Sequence, residues 1–285
     1  MAIKRPIVGE IAYKTWCIDE FGMDAMFLLE GEERALLIDT GTGVFDIPAL
    51  VKSLTDKPLT VALTHGHPDH CGGMYQFDEV FLNPADHAMA RSVTFEGKQD
   101  YVRTMMSMSE GVYDLSPEDL IRGDRKAELK PIHGGMAIDL GKREVLLYDT
   151  PGHTPGGISF LDVRNRILFS GDACNQNTLL ALGGYDVPGK IREKSEVSTL
   201  LKTAELLESL HPFYDRHYNG HIGYAANVEM MPLPECLVRD CIQLCKDLLS
   251  GKVKGVPAAK GSFGGDCLVA RNNTMQIQYR PEQVC

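Results

Sequence analysis

The chain has 285 residues, 44% of them hydrophobic and 24% charged, a composition that excludes disordered and fibrous proteins and allows a sizeable core. Its formal net charge is −10. This acidic balance disfavours a nucleic-acid partner, because lysine and arginine supply the nonspecific affinity for phosphate backbones.

At the N-terminus, Lys4 and Arg5 are not followed by an apolar stretch, as they would be in a secretory signal peptide. No run along the chain reaches the roughly 18 apolar residues that span a bilayer. We therefore expect a cytoplasmic protein without a membrane partner.

Short apolar runs at residues 25–29 and 35–38 flank the polar stretch 30–34, which is the pattern of a β-hairpin. Residues 47–54 place apolar side chains at helical spacing and predict a helix. Residues 59–63 predict a further short strand. That strand ends directly before a group of histidines.

Three histidines and an aspartate follow within six residues, in the run His65-Gly-His67-Pro-Asp69-His70. The glycine and the proline in this run prevent a continuous helix, so the side chains stand on a loop. Imidazole and carboxylate groups both bind zinc, which takes about four ligands at roughly 2.0–2.2 Å. His65 and His67 can bind one ion while Asp69 and His70 turn towards another.

A strand is predicted at residues 79–82, and the segment 85–130 that follows is mainly helical and rich in methionine. We interpret 85–130 as an insertion. Its methionines, among them Met105 and Met106, either pack an added helix pair or form an adaptable apolar wall for a substrate.

In the second half of the chain, short strands again end in loops that carry glycine and a candidate ligand. Residues 145–148 precede Gly152-His153, and residues 167–169 precede Gly171-Asp172. The pair Gly220-His221 follows later. Glycine lets the backbone approach a crowded centre without a clash at Cβ. These three pairs therefore predict loops that close around ions shared with the first loop.

Two amphipathic helices are predicted at residues 198–210 and 233–249, and the alternating segment 274–279 predicts a final strand. Of the three cysteines near the second helix, only Cys241 and Cys245 share a face. We therefore expect them to pack against the core and not to form a second metal cluster.

The order His-x-His-x-Asp-His, Gly-His-Thr, Gly-Asp and Gly-His resembles the motifs of the metallo-β-lactamase fold superfamily, over essentially the whole chain. This resemblance implies an α/β fold, a four-layer αββα sandwich with a helical insertion at about 85–130. It also implies one domain over residues 1–285. Asp39, at the end of the strand Leu-Ile-Asp-Thr-Gly, would orient a ligand histidine.

The resemblance further implies two divalent metal ions, with zinc expected and iron or manganese as alternatives. The implied ligands of the first ion are His65, His67 and His153. The implied ligands of the second are Asp69, His70 and His221, and Asp172 would bridge both ions.

Two such ions can lower the pKa of a shared water towards about 7 and polarise a carbonyl group. The expected reaction is the attack of a metal-bound hydroxide on a small-molecule ester, thioester or lactone. Asp69 and Asp172 are the predicted catalytic residues, Asp69 by orienting the hydroxide or carrying its proton. Oligomeric state and substrate identity are left open.

An aspartate at the bridging position argues against a true β-lactamase. Hydroxyacylglutathione hydrolases are similar but carry a histidine where this chain has Gly157, and N-acyl homoserine lactonases carry a tyrosine where it has Asn175. A phosphodiesterase of the same fold is an alternative that the acidic charge disfavours. An iron-based redox enzyme related to flavodiiron proteins is another, although those usually carry glutamate in place of His67.

The eight cysteines are scattered through a chain too long to need disulfides, so reduced thiols are expected. Cys71 follows a candidate ligand and Cys174 lies two residues past another. Either thiol can reach the site or be sensitive to oxidation, but the preferred interpretation is a small buried hydrophobic side chain.

Overall fold

A computed structural model describes residues 2–109, 111–123, 125–181, 196–221, 230–259 and 266–284. Within these ranges the strands form three sheets, flanked by six α-helices. No helix in the described ranges combines the length and the apolar character needed to cross a membrane.

The first sheet contains seven strands in chain order. They are β1 (Ile7–Ala12), β2 (Thr15–Asp19), β3 (Ala25–Glu30), β4 (Ala35–Ile38), β5 (Leu59–Ala62), β6 (Glu79–Leu82) and β7 (Glu128–Pro131). Strands β1 to β4 pair antiparallel, whereas β4 to β7 pair parallel. The predicted hairpin is confirmed as β3 and β4.

The second sheet has five strands, in spatial order β13 (Arg216–Tyr218), β11 (Ile167–Phe169), β10 (Ile158–Asp162), β9 (Glu144–Asp149) and β8 (Ala137–Asp139). The third sheet has four strands, in the order β12 (Asn177–Ala181), β16 (Met275–Tyr279), β15 (Leu268–Arg271) and β14 (Val256–Pro257). The strand predicted at 274–279 is confirmed as β16.

The first and second sheets pack face to face through an apolar core. Phe27 of β3 and Phe169 of β11 meet in this core, with ring centroids 4.6 Å apart. Leu28 and Leu37 belong to the cluster on the opposite face of the first sheet, as expected from the alternation of side chains along a strand.

The helices cover the two outer faces. They are α1 (Ile47–Leu54), α2 (Pro68–Cys71), α3 (His87–Ser92), α4 (Phe95–Met108), α5 (Val197–Ser209) and α6 (Leu237–Leu249). Ile47 and Val51 of α1 pack against the first sheet, and Leu200 of α5 and Leu244 of α6 pack with residues of the second and third sheets. The predicted αββα sandwich is therefore confirmed.

Two predicted elements have different bounds in the structure. The helix expected at 233–249 begins only at Leu237, because the chain forms a turn at Glu235 and Cys236 directly before it. The segment 85–130 is helical in α3 and α4, but it ends within β7, a strand of the first sheet. The α-helical part of the insertion therefore ends at Met108, and the last residues of the segment belong to the sheet.

Several thiols and thioethers expected to pack in the core do so. Cys71 and Cys174 are fully buried in apolar clusters, as are Cys241 and Cys245, and the described cysteines are free thiols. Met105 of α4 is buried with Phe21 and other residues beside the insertion. For Met105 the packing interpretation is therefore confirmed.

A buried carboxyl group fixes the loop after β4. Glu20 accepts hydrogen bonds from the backbone N–H groups of Thr42, Gly43 and Val44 at 2.5–3.2 Å. Gly41, at φ +58°, has no room for a Cβ, which would lie 2.6 Å from the Glu20 carboxylate. Burial raises the pKa of Glu20 to about 7, although the three N–H donors act in the opposite direction.

The pH dependence of stability is expected to report this burial. Because the folded pKa of Glu20 lies near 7 and its ordinary value is 4.5, the folded chain binds more protons between these values. The free energy of unfolding of the wild type, relative to Glu20→Gln, should therefore fall by roughly 3 kcal/mol as pH rises through this window. Urea denaturation of both proteins across the window measures it. A constant difference between them would contradict the prediction.

Candidate metal centre

The residues predicted as ligands come from segments that follow strands of the two larger sheets. His65 and His67 lie on the predicted loop after β5. Asp69 and His70, also expected on that loop, lie instead in the short helix α2, because Pro68 is tolerated at the first position of a helix. The other three follow strands of the second sheet, His153 after β9, Asp172 after β11 and His221 after β13. The fold brings all seven side chains together in overlapping groups whose ligand atoms lie within 4.8 Å of one another.

The first group consists of three imidazoles. Nδ1 of His67 lies 3.1 Å from Nε2 of His65 and 2.8 Å from Nε2 of His153. Burial, together with the neighbouring imidazoles, lowers the pKa of His65 and of His67 well below 6.5. Neutral rings that present their nitrogens to one point form a donor set that suits a transition-metal ion.

The second group combines a carboxylate with two imidazoles. Oδ2 of Asp69 lies 3.9 Å from Nε2 of His70 and 3.8 Å from Nε2 of His221. Burial acts to lower the pKa of His70, but nearby carboxylates outweigh it and raise this pKa to about 10. A bound cation would take the place of the proton that the carboxylates attract to this ring.

Asp172 stands between the two groups. Its Oδ2 lies 3.0 Å from Nε2 of His221 and 3.5 Å from Nε2 of His153, and its Oδ1 lies 3.6 Å from Nε2 of His70. Although burial opposes ionisation, the imidazoles of His221 and His70 hold the pKa of Asp172 well below its usual range. An ionised carboxylate therefore faces both groups.

Two atoms of this centre lack the partners that buried polar atoms normally have. Within the described part of the chain, Nε2 of His70 and Oδ1 of Asp172 are buried without a hydrogen bond. Leaving such atoms unsatisfied costs about 1–3 kcal/mol each, and more when they are charged. The residues present therefore fit a site for cations.

Hydrogen bonds on the far side of the imidazoles set their orientation. Nδ1 of His153 lies 2.8 Å from the carbonyl oxygen of Leu180, and Nδ1 of His221 lies 2.9 Å from that of Met23. Because a carbonyl oxygen only accepts, each Nδ1 donates and each Nε2 directs its lone pair into the centre.

His70 is held from behind by Asp39, as predicted. Oδ2 of Asp39 lies 3.0 Å from Nδ1 of His70, and the same carboxylate accepts from the backbone N–H and the hydroxyl of Thr64. Sequence reasoning missed Asp24, whose buried Oδ1 lies 3.2 Å from the same Nδ1. An aspartate just before an apolar strand resembles an ordinary turn residue, so no local signal identified it.

Asp86, also missed from the sequence, joins the two loops of the first group. Its carboxylate accepts from the N–H of Gly66 at 3.0 Å, from the hydroxyl of Thr154 at 2.6 Å and from the N–H of Gly156 at 2.8 Å. Gly66 lies between His65 and His67, and Thr154 follows His153. Asp86 therefore fixes the separation of the loops that carry all three imidazoles.

The close approach of the loops also depends on glycine, as predicted. A Cβ on Gly220 would lie 2.3 Å from Cε1 of His70, and Gly171 has φ +50° with Thr64 only 2.5 Å from a Cβ position. Side chains at these positions would push His221 or Asp172 out of the centre.

Asp86→Asn is expected to weaken this junction. The amide nitrogen of asparagine cannot accept, so at least one donor from Gly66, Thr154 or Gly156 loses its acceptor. We expect the free energy of unfolding to fall by about 1–3 kcal/mol in urea denaturation. The matched control is Asp78→Asn, which breaks an exposed ion pair with Arg125 and should change it by about 1 kcal/mol or less. Equal losses in the two variants would contradict the role of Asp86.

Comparison with known proteins shows relatives that match part of this chain. Human acyl-coenzyme A thioesterase MBLAC2 is 35% identical over 171 residues, which cover 54% of this chain and 60% of the human protein. The uncharacterized protein YobT of Bacillus subtilis (strain 168) is 30% identical over 178 residues, covering 58% of this chain and 66% of that protein. The match thus spans less than two thirds of either relative.

A metallo-beta-lactamase from Pontibacter korlensis shares the fold at 17% identity, with a TM-score of 0.54 over 85% of this chain and 100% of that chain. Residues 20–234 match the profile of the metallo-beta-lactamase superfamily. Since this match covers most of the chain, the protein belongs to the metallo-β-lactamase superfamily.

Proposed function

We propose that the protein is a hydrolase of small acyl thioesters that uses two divalent metal ions. The proposed ligands of one ion are His65, His67 and His153. The proposed ligands of the other are Asp69, His70 and His221, with Asp172 contacting both ions. The observation that carries this proposal is the shared, buried position of the Asp172 carboxylate between two sets of converging ligand atoms.

Zinc is the proposed metal, because imidazole nitrogens and carboxylate oxygens are common zinc ligands. When bound, the two ions would supply a water nucleophile of lowered pKa and polarise the carbonyl of the thioester. The chain's own contribution is to hold the ligands in fixed orientations, through Asp39, Asp86 and the backbone carbonyl groups behind the imidazoles.

Asp69 is the residue proposed to move the proton. Its carboxylate would accept the proton of the attacking water and return it to the sulfur as the carbon–sulfur bond breaks, leaving a carboxylic acid and a thiol. Asp172, which lies between the two groups of ligands, would hold them at a fixed separation during this step. Neither role needs a serine or cysteine nucleophile.

The choice of a thioester rests on the relatives and on two positions near the centre. The human relative is named as an acyl-coenzyme A thioesterase. Gly157 stands where hydroxyacylglutathione hydrolases carry a histidine, and Asn175 stands where N-acyl homoserine lactonases carry a tyrosine. An acyl thioester other than a glutathione conjugate is therefore the substrate class we favour.

Release of free thiol from a series of acyl-coenzyme A esters tests the proposal. We expect turnover by the wild type, its loss after treatment with a chelator and its return with added zinc. Loss of a residue that only orients a metal ligand typically reduces activity 10–100-fold, so His153→Ala should lose about 100-fold or more. His133→Ala, at an exposed position away from the centre, is the matched control.

Two results would overturn the proposal. One is undiminished thioester turnover in protein shown to be free of metal. The other is faster cleavage of bis-p-nitrophenyl phosphate than of every acyl thioester in the series, which would favour the phosphodiesterase alternative.

A further inference from the structure

We propose that Tyr101, on helix α4 of the insertion, is a positioning residue for the second metal ion. This inference rests on the proposed two-metal function. The hydroxyl of Tyr101 donates a hydrogen bond to Oδ2 of Asp69, with the two oxygens 2.8 Å apart. The contact joins residues 32 positions apart in the sequence, and it acts on a ligand of the second ion from outside the metal motif.

The phenol contacts the carboxylate oxygen that faces the second group of ligands. Oδ2 of Asp69 is the oxygen that lies 3.9 Å from Nε2 of His70 and 3.8 Å from Nε2 of His221. A carboxylate oxygen has two lone pairs, so it can accept from the phenol with one and bind a cation with the other. Hydrogen bonds to a charged acceptor are stronger than neutral ones, and this bond restrains rotation of the carboxylate.

Helix α4 is held firmly against the metal motif, so it can deliver Tyr101 to a defined place. The ammonium group of Lys98 is buried and donates to the carbonyl oxygen of Gly72, directly after α2, at 2.8 Å. Val102 and Met105 are buried in the adjoining apolar cluster. Positions 98, 101, 102 and 105 lie on one face of a helix, so a single docked face carries the tyrosine.

The same apolar cluster also reaches His221. Met23 belongs to this cluster together with Val102 and Met105, and the carbonyl oxygen of Met23 accepts from Nδ1 of His221. The insertion therefore supports two of the three proposed ligands that belong to the second ion alone. Tyr101 contacts Asp69 directly, and the apolar residues of α4 pack in one cluster with Met23, whose carbonyl group holds His221. The first group is supported by Asp86, at the start of the insertion, which hydrogen-bonds to both of its loops.

Tyr101→Phe tests the inference, because it keeps the ring that packs against the apolar cluster and removes only the hydroxyl. Zinc-loaded enzyme would be dialysed against graded concentrations of a chelator, and the zinc that remains per chain would be counted by mass spectrometry. We expect one of the two ions to be lost at about 10–100-fold lower chelator strength than in the wild type, and the other to be retained as before. With an acyl thioester, kcat should fall by a similar factor while KM stays within about twofold of the wild type.

The matched control is Tyr75→Phe. It also removes a phenol hydroxyl, but from a tyrosine whose ring lies beside Lys98. It should retain both ions as the wild type does. Retention of both ions by Tyr101→Phe at wild-type chelator strength would overturn the inference, whatever its activity. The zinc count needs no substrate, so a wild type that holds two ions but hydrolyses no thioester would fail the proposed function and not the role of Tyr101.

Discussion

The centre depends on one constraint: its buried polar atoms and its negative charge are not fully compensated by the protein's own groups. Seven imidazole and carboxylate side chains converge there, and Nε2 of His70 and Oδ1 of Asp172 have no hydrogen-bond partner within the described ranges. In a medium from which water is largely excluded, such an arrangement is costly unless cations compensate it. The rest of the structure is understandable as the means of keeping these groups together.

The first and second sheets each contribute one side of that arrangement. The segment after β5, which includes α2, supplies four of the residues, and the loops after β9, β11 and β13 supply the other three. The apolar core between these two sheets therefore sets the distance between the two sets. Glycines at the tightest contacts leave room for this approach, as Gly220 does beside His70. Packing far from the centre is therefore coupled to the geometry of the ligands.

Local motifs predicted the residues that the structure brings together, and the family resemblance carried by those motifs implied the sandwich fold. A ligand loop follows a short strand, and glycine stands directly before each of the later candidates. Asp24, Asp86 and Tyr101 carry no such pattern. In the sequence, Asp86 resembles an ordinary turn residue, and Tyr101 resembles a helical residue that only packs against the core.

Their roles arise from contacts between distant parts of the chain. Asp86 meets Gly156 across 70 positions, and Tyr101 meets Asp69 across 32. Strand β7 was not predicted for a related reason. Its four residues, one of them proline, are too few to show an alternating pattern, and pairing with β6 makes them a strand. Tertiary packing, which the sequence pattern does not display, determines these features.

The most direct test of the central claim is anomalous X-ray scattering from crystals of the zinc-loaded protein. The account predicts two zinc peaks about 3.5–4 Å apart, one beside His65, His67 and His153 and the other beside Asp69, His70 and His221, with Asp172 in contact with both. A single peak, or a pair of peaks that Asp172 does not connect, would contradict it.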